Sequence, residues 1–141
     1  MISNLRFELS FKNILQLENK LNFCKFNKIT NINIPCKGII KREFFNSTIK
    51  YILKYHNDFN VTYHYSLYHQ YSQNIDKSYK DLLDFLRNSY SNRNYEILLV
   101  SRSVKKKNFD AINVLSKIKE EKDLKIKLGI AYNPYLKIYY Q

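Results

Sequence analysis

Six polar side chains, Glu8, Asn33, His64, Ser66, Ser101 and Asn133, fall late in short apolar segments that read as strands. In folds of parallel strands and helices the carboxyl ends of the strands meet at one mouth, and ligands bind there. The set holds a carboxylate and an imidazole that can move protons, with hydroxyls and amides that can fix a ligand by hydrogen bonds. Thr62, His64 and Ser66 share one face of their segment by its two-residue period, and Val61, Tyr63, Tyr65 and Leu67 take the other. One face is expected to line a site and the other to pack beneath helices. The plainer alternative makes His64 a satisfied core histidine.

Other chemistries find less footing. His64 and His69 are five apart, off any common strand or helix face, so no metal site is expected. Cys24 and Cys36 lack a second pair at zinc-like spacing and read as free thiols in a reducing compartment. With Gly38 and Gly129 as the only glycines, neither a dinucleotide fingerprint nor a phosphate-cradling loop can form. Lys105-Lys106-Lys107 would suit a phosphate at a helix start, but a solvated charge run explains it as well. Tyr63, Tyr65, Tyr68 and Tyr71 are read as structural rather than as a base-stacking platform.

These side chains need elements to hold them. Leu5–Leu9, Ile29–Ile34, Val61–Leu67, Tyr95–Ser101 and Ile126–Tyr132 read as strands. Between them, Phe11–Asn22, Arg42–His56, Asp76–Tyr90 and Asn108–Glu121 carry apolar residues at three-and-four spacing and read as helices, the last capped by Asn108. Strand and helix alternate in units of about 25 to 35 residues, the pattern of parallel βαβ units in one α/β domain. Two architectures fit: part of a (β/α)8 TIM barrel, or an open five-stranded doubly wound sheet.

The 141 residues carry 24 Lys and Arg against 12 Asp and Glu, a net charge of +12. The lysines are scattered over every segment, and Lys, Asn, Ile, Tyr and Phe rise together when a coding sequence is rich in A and T. A nucleic-acid-binding module is therefore the weakest of the functional readings. Arg6 and Glu8 interrupt any apolar leader, and no apolar run approaches a membrane span. A cytoplasmic protein with no membrane partner is expected.

Several segments, in order, resemble the methylenetetrahydrofolate reductase family, a set of flavin-dependent (β/α)8 barrels, and most closely its reductase-like relatives. Phe7-Glu8 is similar to the first-strand Phe-Glu motif, and Asn31-Ile32-Asn33-Ile34-Pro35 falls at the second strand. Val61-Thr62-Tyr63-His64-Tyr65-Ser66-Leu67 resembles the third-strand segment near the flavin. Glu96–Ser101 with Phe109-Asp110 resembles the fourth strand and its helix, and Gly129-Ile130-Ala131-Tyr132-Asn133-Pro134 the fifth strand.

The resemblance implies a folate-linked oxidoreductase using FAD, with Glu8 as general acid toward a substrate nitrogen. It implies that His64, Ser66, Ser101, Arg102, Ser103 and Tyr132 hold the cofactor and that Asn33 and Asn133 meet the substrate. The departures are specific: where true reductases end the fourth strand in Arg-Gly-Asp, this chain has Ser101-Arg102-Ser103, without the flavin-side carboxylate. Only the first five strands of the family barrel are matched. A truncated or divergent member, a pseudoenzyme, is expected, either completed by a second chain or a further C-terminal segment or persisting as a non-catalytic remnant that binds a ligand or partner.

Overall fold

The computed structural model describes residues 5–35, 42–88, 95–100, 109–124 and 127–131. Five strands alternate with four helices: β1 (Arg6–Glu8), α1 (Ile14–Phe26), β2 (Asn31–Ile34), α2 (Arg42–Tyr55), β3 (Asn60–Ser66), α3 (Ile75–Asn88), β4 (Tyr95–Val100), α4 (Ala111–Ile118) and β5 (Lys127–Ile130). The strands form one open sheet in the order β1-β2-β3-β4-β5, and every neighbouring pair is parallel.

The helices begin and end where local chemistry directs. Asn13 caps α1 by accepting from the Gln16 amide at 2.9 Å, while the Gln16 side chain accepts from the Lys12 amide at 2.8 Å. The apolar pattern places this start at Phe11. That residue instead packs on the ring of Phe44, with centroids 5.9 Å apart. The helix runs past Asn22 because Cys24 extends the buried stripe of Leu17 and Leu21 by one turn. Asn74 caps α3 through the Lys77 amide. Asp110, rather than the expected Asn108, caps α4 by accepting from the Asn113 amide at 2.9 Å, since the buried Phe109 just before it is not helical.

Helices α1 to α4 lie side by side in one layer. Glu18 of α1 meets Tyr51 of α2, Phe45 of α2 packs on Phe85 of α3 at 5.5 Å, and Lys117 of α4 sits over the Tyr79 ring of α3 at 4.8 Å. A doubly wound sheet would put helices on both faces; this sheet is wound in one direction. The core lies between it and the helices, with Ile32, Ile34, Val61, Tyr63, Tyr65, Ile97 and Leu99 pointing inward. Tyr63 meets Phe45 edge-on at 5.5 Å and Tyr65 meets Phe85 at 5.0 Å, so these two strand tyrosines are structural. Cys24 is buried and free, and burial pushes its thiol pKa up; Cys36 lies outside the described residues.

A polar clamp joins α1 to α2. The Glu18 carboxylate accepts from the Tyr51 hydroxyl and from His56 Nε2, the latter at 2.6 Å, with His56 only 4% exposed. These hydrogen bonds, Tyr51 first and His56 second, hold the Glu18 pKa below its ordinary 4.5. A carboxylate depressed in the fold stabilises it above the unfolded-state pKa and loses that contribution as pH falls through the folded one. Glu18→Gln is therefore expected to flatten the fall in urea stability below about pH 4.5, with a smaller loss than the parent on going from neutral to acid. An unchanged slope would show that the clamp carries no linkage.

The C-terminus of α1 is closed by the Ile29 amide donating to the Cys24 carbonyl at 2.8 Å, with Lys28 at φ 56°. That left-handed position is the one glycine fills without strain. Lys28→Gly is expected to raise the urea midpoint by a stabilisation of about 1 kcal/mol at unchanged m-value.

Candidate functional site

Register partners in a parallel sheet point to the same side, so the helix-free face follows from the pairing. One row crosses all five strands as Glu8, Asn33, Thr62, Glu96 and Lys127. Arg6 lies two residues before Glu8 on the same face. Toward the carboxyl ends His64 is level with Leu98 and Gly129, and Ser66 is level with Val100. The face is polar across its middle and more apolar on the β4 and β5 side.

Arg6 ties the row together. Its Nη1 donates to Thr62 Oγ1 at 2.7 Å and, at 3.4 Å, to both Asn33 Oδ1 and the Ile32 carbonyl, while Nη2 lies 3.6 Å from Glu96 Oε1. The Thr62 hydroxyl donates in turn to Glu96. The network spans β1 to β4 and fixes the amide of Asn33.

His64 stands above this network, half-buried, and its Nε2 is buried with no hydrogen-bond partner among the described residues. A satisfied core histidine would not leave that nitrogen bare. Burial is the main cause that lowers its pKa below 6.5; Glu8 acts to raise it and Arg6 to lower it. The imidazole is thereby kept neutral at pH 7, able to donate from one nitrogen and accept at the other. Ser66, buried at the end of β3, shares a 2.6 Å hydrogen bond with Nδ1 of the exposed His69, and the His69 amide reaches Ser66 Oγ at 3.4 Å. The hydroxyl is held by its own turn.

Four of the residues expected from sequence, Glu8, Asn33, His64 and Ser66, thus share the helix-free face near the carboxyl ends. Ser101, Arg102, Ser103, Tyr132 and Asn133 lie outside the described residues, as do Lys105–Lys107. Thr62 stands on the β3 face expected to line a site, whereas Arg6 and Glu96 are not among the residues expected there. Arg6 and Glu96 stand in alternating strands, and the register that joins them spans four strands. Among the described residues no group of three or more His, Cys, Asp or Glu is placed to hold a metal ion, and no helix is long and apolar enough to cross a membrane. A separate groove of about 480 Å³ lies between α3 and α4, lined by Ile75, Tyr79, Phe109, Asn113, Val114 and Lys117, on the helix side of the sheet. It shares no residue with the polar face.

Comparisons of the chain with protein-family models, with curated proteins and with solved structures each return no match.

The electrostatic roles of Glu8 and Arg6 are separable by NMR titration of the His64 ring. Glu8→Gln is expected to lower the His64 pKa further, and Arg6→Met to raise it toward 6.5. Shifts of the opposite signs would show that neither charge acts on the imidazole.

Proposed function

We propose that this chain is a divergent methylenetetrahydrofolate reductase-like protein that keeps a ligand-binding face and has lost the flavin-dependent oxidoreductase activity. Strands added in one direction beneath a single helix layer are the winding of a (β/α)8 barrel, in which the helix-free face becomes the interior. The observation that carries the reading is His64, whose unpartnered Nε2 faces away from the helices within the electrostatic reach of Glu8.

Beside His64, Leu98 and Gly129 offer an apolar floor without a bulky polar group. That combination suits a planar heteroaromatic ring with hydrogen-bonding atoms at its rim, and a flavin answers the description. His64 and Ser66 would hold it, with Ser101, Arg102, Ser103 and Tyr132 assigned by resemblance. Asn33 and Asn133 would meet a substrate. When bound, a flavin supplies hydride transfer, and Glu8 would present its carboxyl to a substrate nitrogen. Ser103 stands where true reductases have the flavin-side carboxylate, and for that reason the assignment is binding without turnover.

A second reading, a remnant that binds a partner chain completing the barrel, draws on the open edges. In the row Phe7, Ile32, Val61 the exposures are 38%, 0% and 4%, so the helix-side residue of β1 lacks the cover its neighbours have.

Bound FAD can be followed by its own visible fluorescence. Saturable quenching on titration is expected, with His64→Ala weakening binding about tenfold or more and no oxidation of NADH in the presence of FAD and a quinone acceptor. Absence of saturable binding would overturn the ligand face. NADH turnover would overturn the loss of activity.

A further inference from the structure

Helix α1 carries apolar side chains on both of its faces, where α2 and α4 each expose a single large apolar residue, Tyr55 and Ile112. Leu17, Leu21 and Cys24 are buried, and on the opposite side of the helix Leu15 is 69% exposed, Phe23 57% and Phe26 87%. Phe26 is the last residue of α1, and Tyr55, 56% exposed, is the last of α2. Both helices run back against their strands and are joined by the Glu18–Tyr51 contact, so Phe26 and Tyr55 end at the same rim of the sheet, the amino ends of the strands. Lysines stand in the last turns of the same two helices. Lys25 lies 3.8 Å from Asp58 and 5.8 Å from the centre of the Phe59 ring, Lys54 sits over the Tyr55 ring at 5.0 Å, and Lys28 is exposed just past the end of α1.

We propose that this rim docks onto an anionic membrane surface, with Phe23, Phe26 and Tyr55 seated at headgroup depth and Lys25, Lys28 and Lys54 among the lipid phosphates. The patch is an edge of protruding rings rather than a groove, which suits a deformable surface better than a folded partner. Aromatic and lysine side chains side by side are the composition of interfacial anchors. Charge selects the occupant. The lysines on the patch favour an anionic surface, whereas two copies meeting through this rim would bring the same lysines together. Among the described residues Asp58 is the one carboxylate in an ion pair with a lysine here, and no described ion pair compensates Lys28 or Lys54. The rim lies at the end of the sheet opposite His64 and Ser66, so docking leaves the ligand face open.

The test is co-sedimentation of the whole chain with vesicles of phosphatidylcholine containing about 30% phosphatidylserine, against phosphatidylcholine alone. Binding to the anionic vesicles only is expected, weakened about tenfold or more in Phe23→Ser/Phe26→Ser, whose thermal melt should match the parent because both rings are exposed. Lys28→Gln/Lys54→Gln provides a second variant independent of the aromatic pair and should weaken binding several-fold. The proposal fails if the anionic vesicles are not bound. It fails equally if binding survives loss of both phenylalanines and vanishes with moderate salt, the sign of general basic charge. A dimer in solution that dissociates in the phenylalanine variant would assign the rim to a second copy instead.

Discussion

Each strand lies parallel to the one before it and beside it, and crossovers between parallel strands are almost always right-handed. Together these two constraints send every helix over the same side of the sheet. One face then receives the whole apolar layer of α1 to α4 and the other receives none. The core residues of β2, β3 and β4 point to the first face, and the row from Glu8 to Lys127 points to the second. A sheet wound in both directions would need apolar residues on both faces. This sequence supplies an apolar layer across all of the strands on one face only.

A helix-free face still contains partly desolvated polar groups, and each needs a partner. Arg6 supplies most of them, because a planar guanidinium can donate to several acceptors at once where a lysine gives a single point charge. Its bonds to Thr62, Asn33 and the Ile32 carbonyl satisfy the middle of the face without an apolar cover. His64 is the exception. It is shielded enough to lower its pKa yet left with a bare nitrogen, a combination that costs stability in an empty structural position and is useful where a ligand supplies the missing bond. Binding energy is concentrated at such a place, since a ligand atom there replaces an unmet bond rather than a bond to water.

The alternation of strands and helices was legible because its physical basis is local: two-residue and three-to-four-residue apolar periods survive in the sequence whatever packs against them. Val61 to Leu67 is the clearest case, with its odd residues under helices and its even residues on the open face as the period requires. The caps were less legible. Asn108 and Asp110 are both good capping types, and the burial of Phe109 decides between them, which is tertiary information. The Arg6 network and the Glu18 clamp were hidden for the same reason, since their partners stand from 26 to 56 residues away. Their meeting depends on strand register and helix adjacency. Glu18, a half-exposed residue between apolar helix positions, looks like any solvated glutamate until α2 is set beside it.

The same geometry separates the molecule's two polar ends. Helices that all return against the strands bring their own C-termini to the amino ends of the strands, so the rim bearing Phe26 and Tyr55 and the rim bearing Ser66 are at opposite ends of the sheet. The second rim inherits residues that end strands and begin loops, where side chains are free to meet a ligand. At the first, helix ends expose carbonyls that favour cations, and lysines stand in the last turns of α1 and α2. Basic charge at that rim thus has a local electrostatic cause, and by itself it would imply no partner. The exposed rings do not follow from it, because Phe23 and Phe26 gain nothing from a helix dipole and leave apolar area in water. That unexplained apolar area, rather than the lysines, is what makes the rim a surface in need of an occupant.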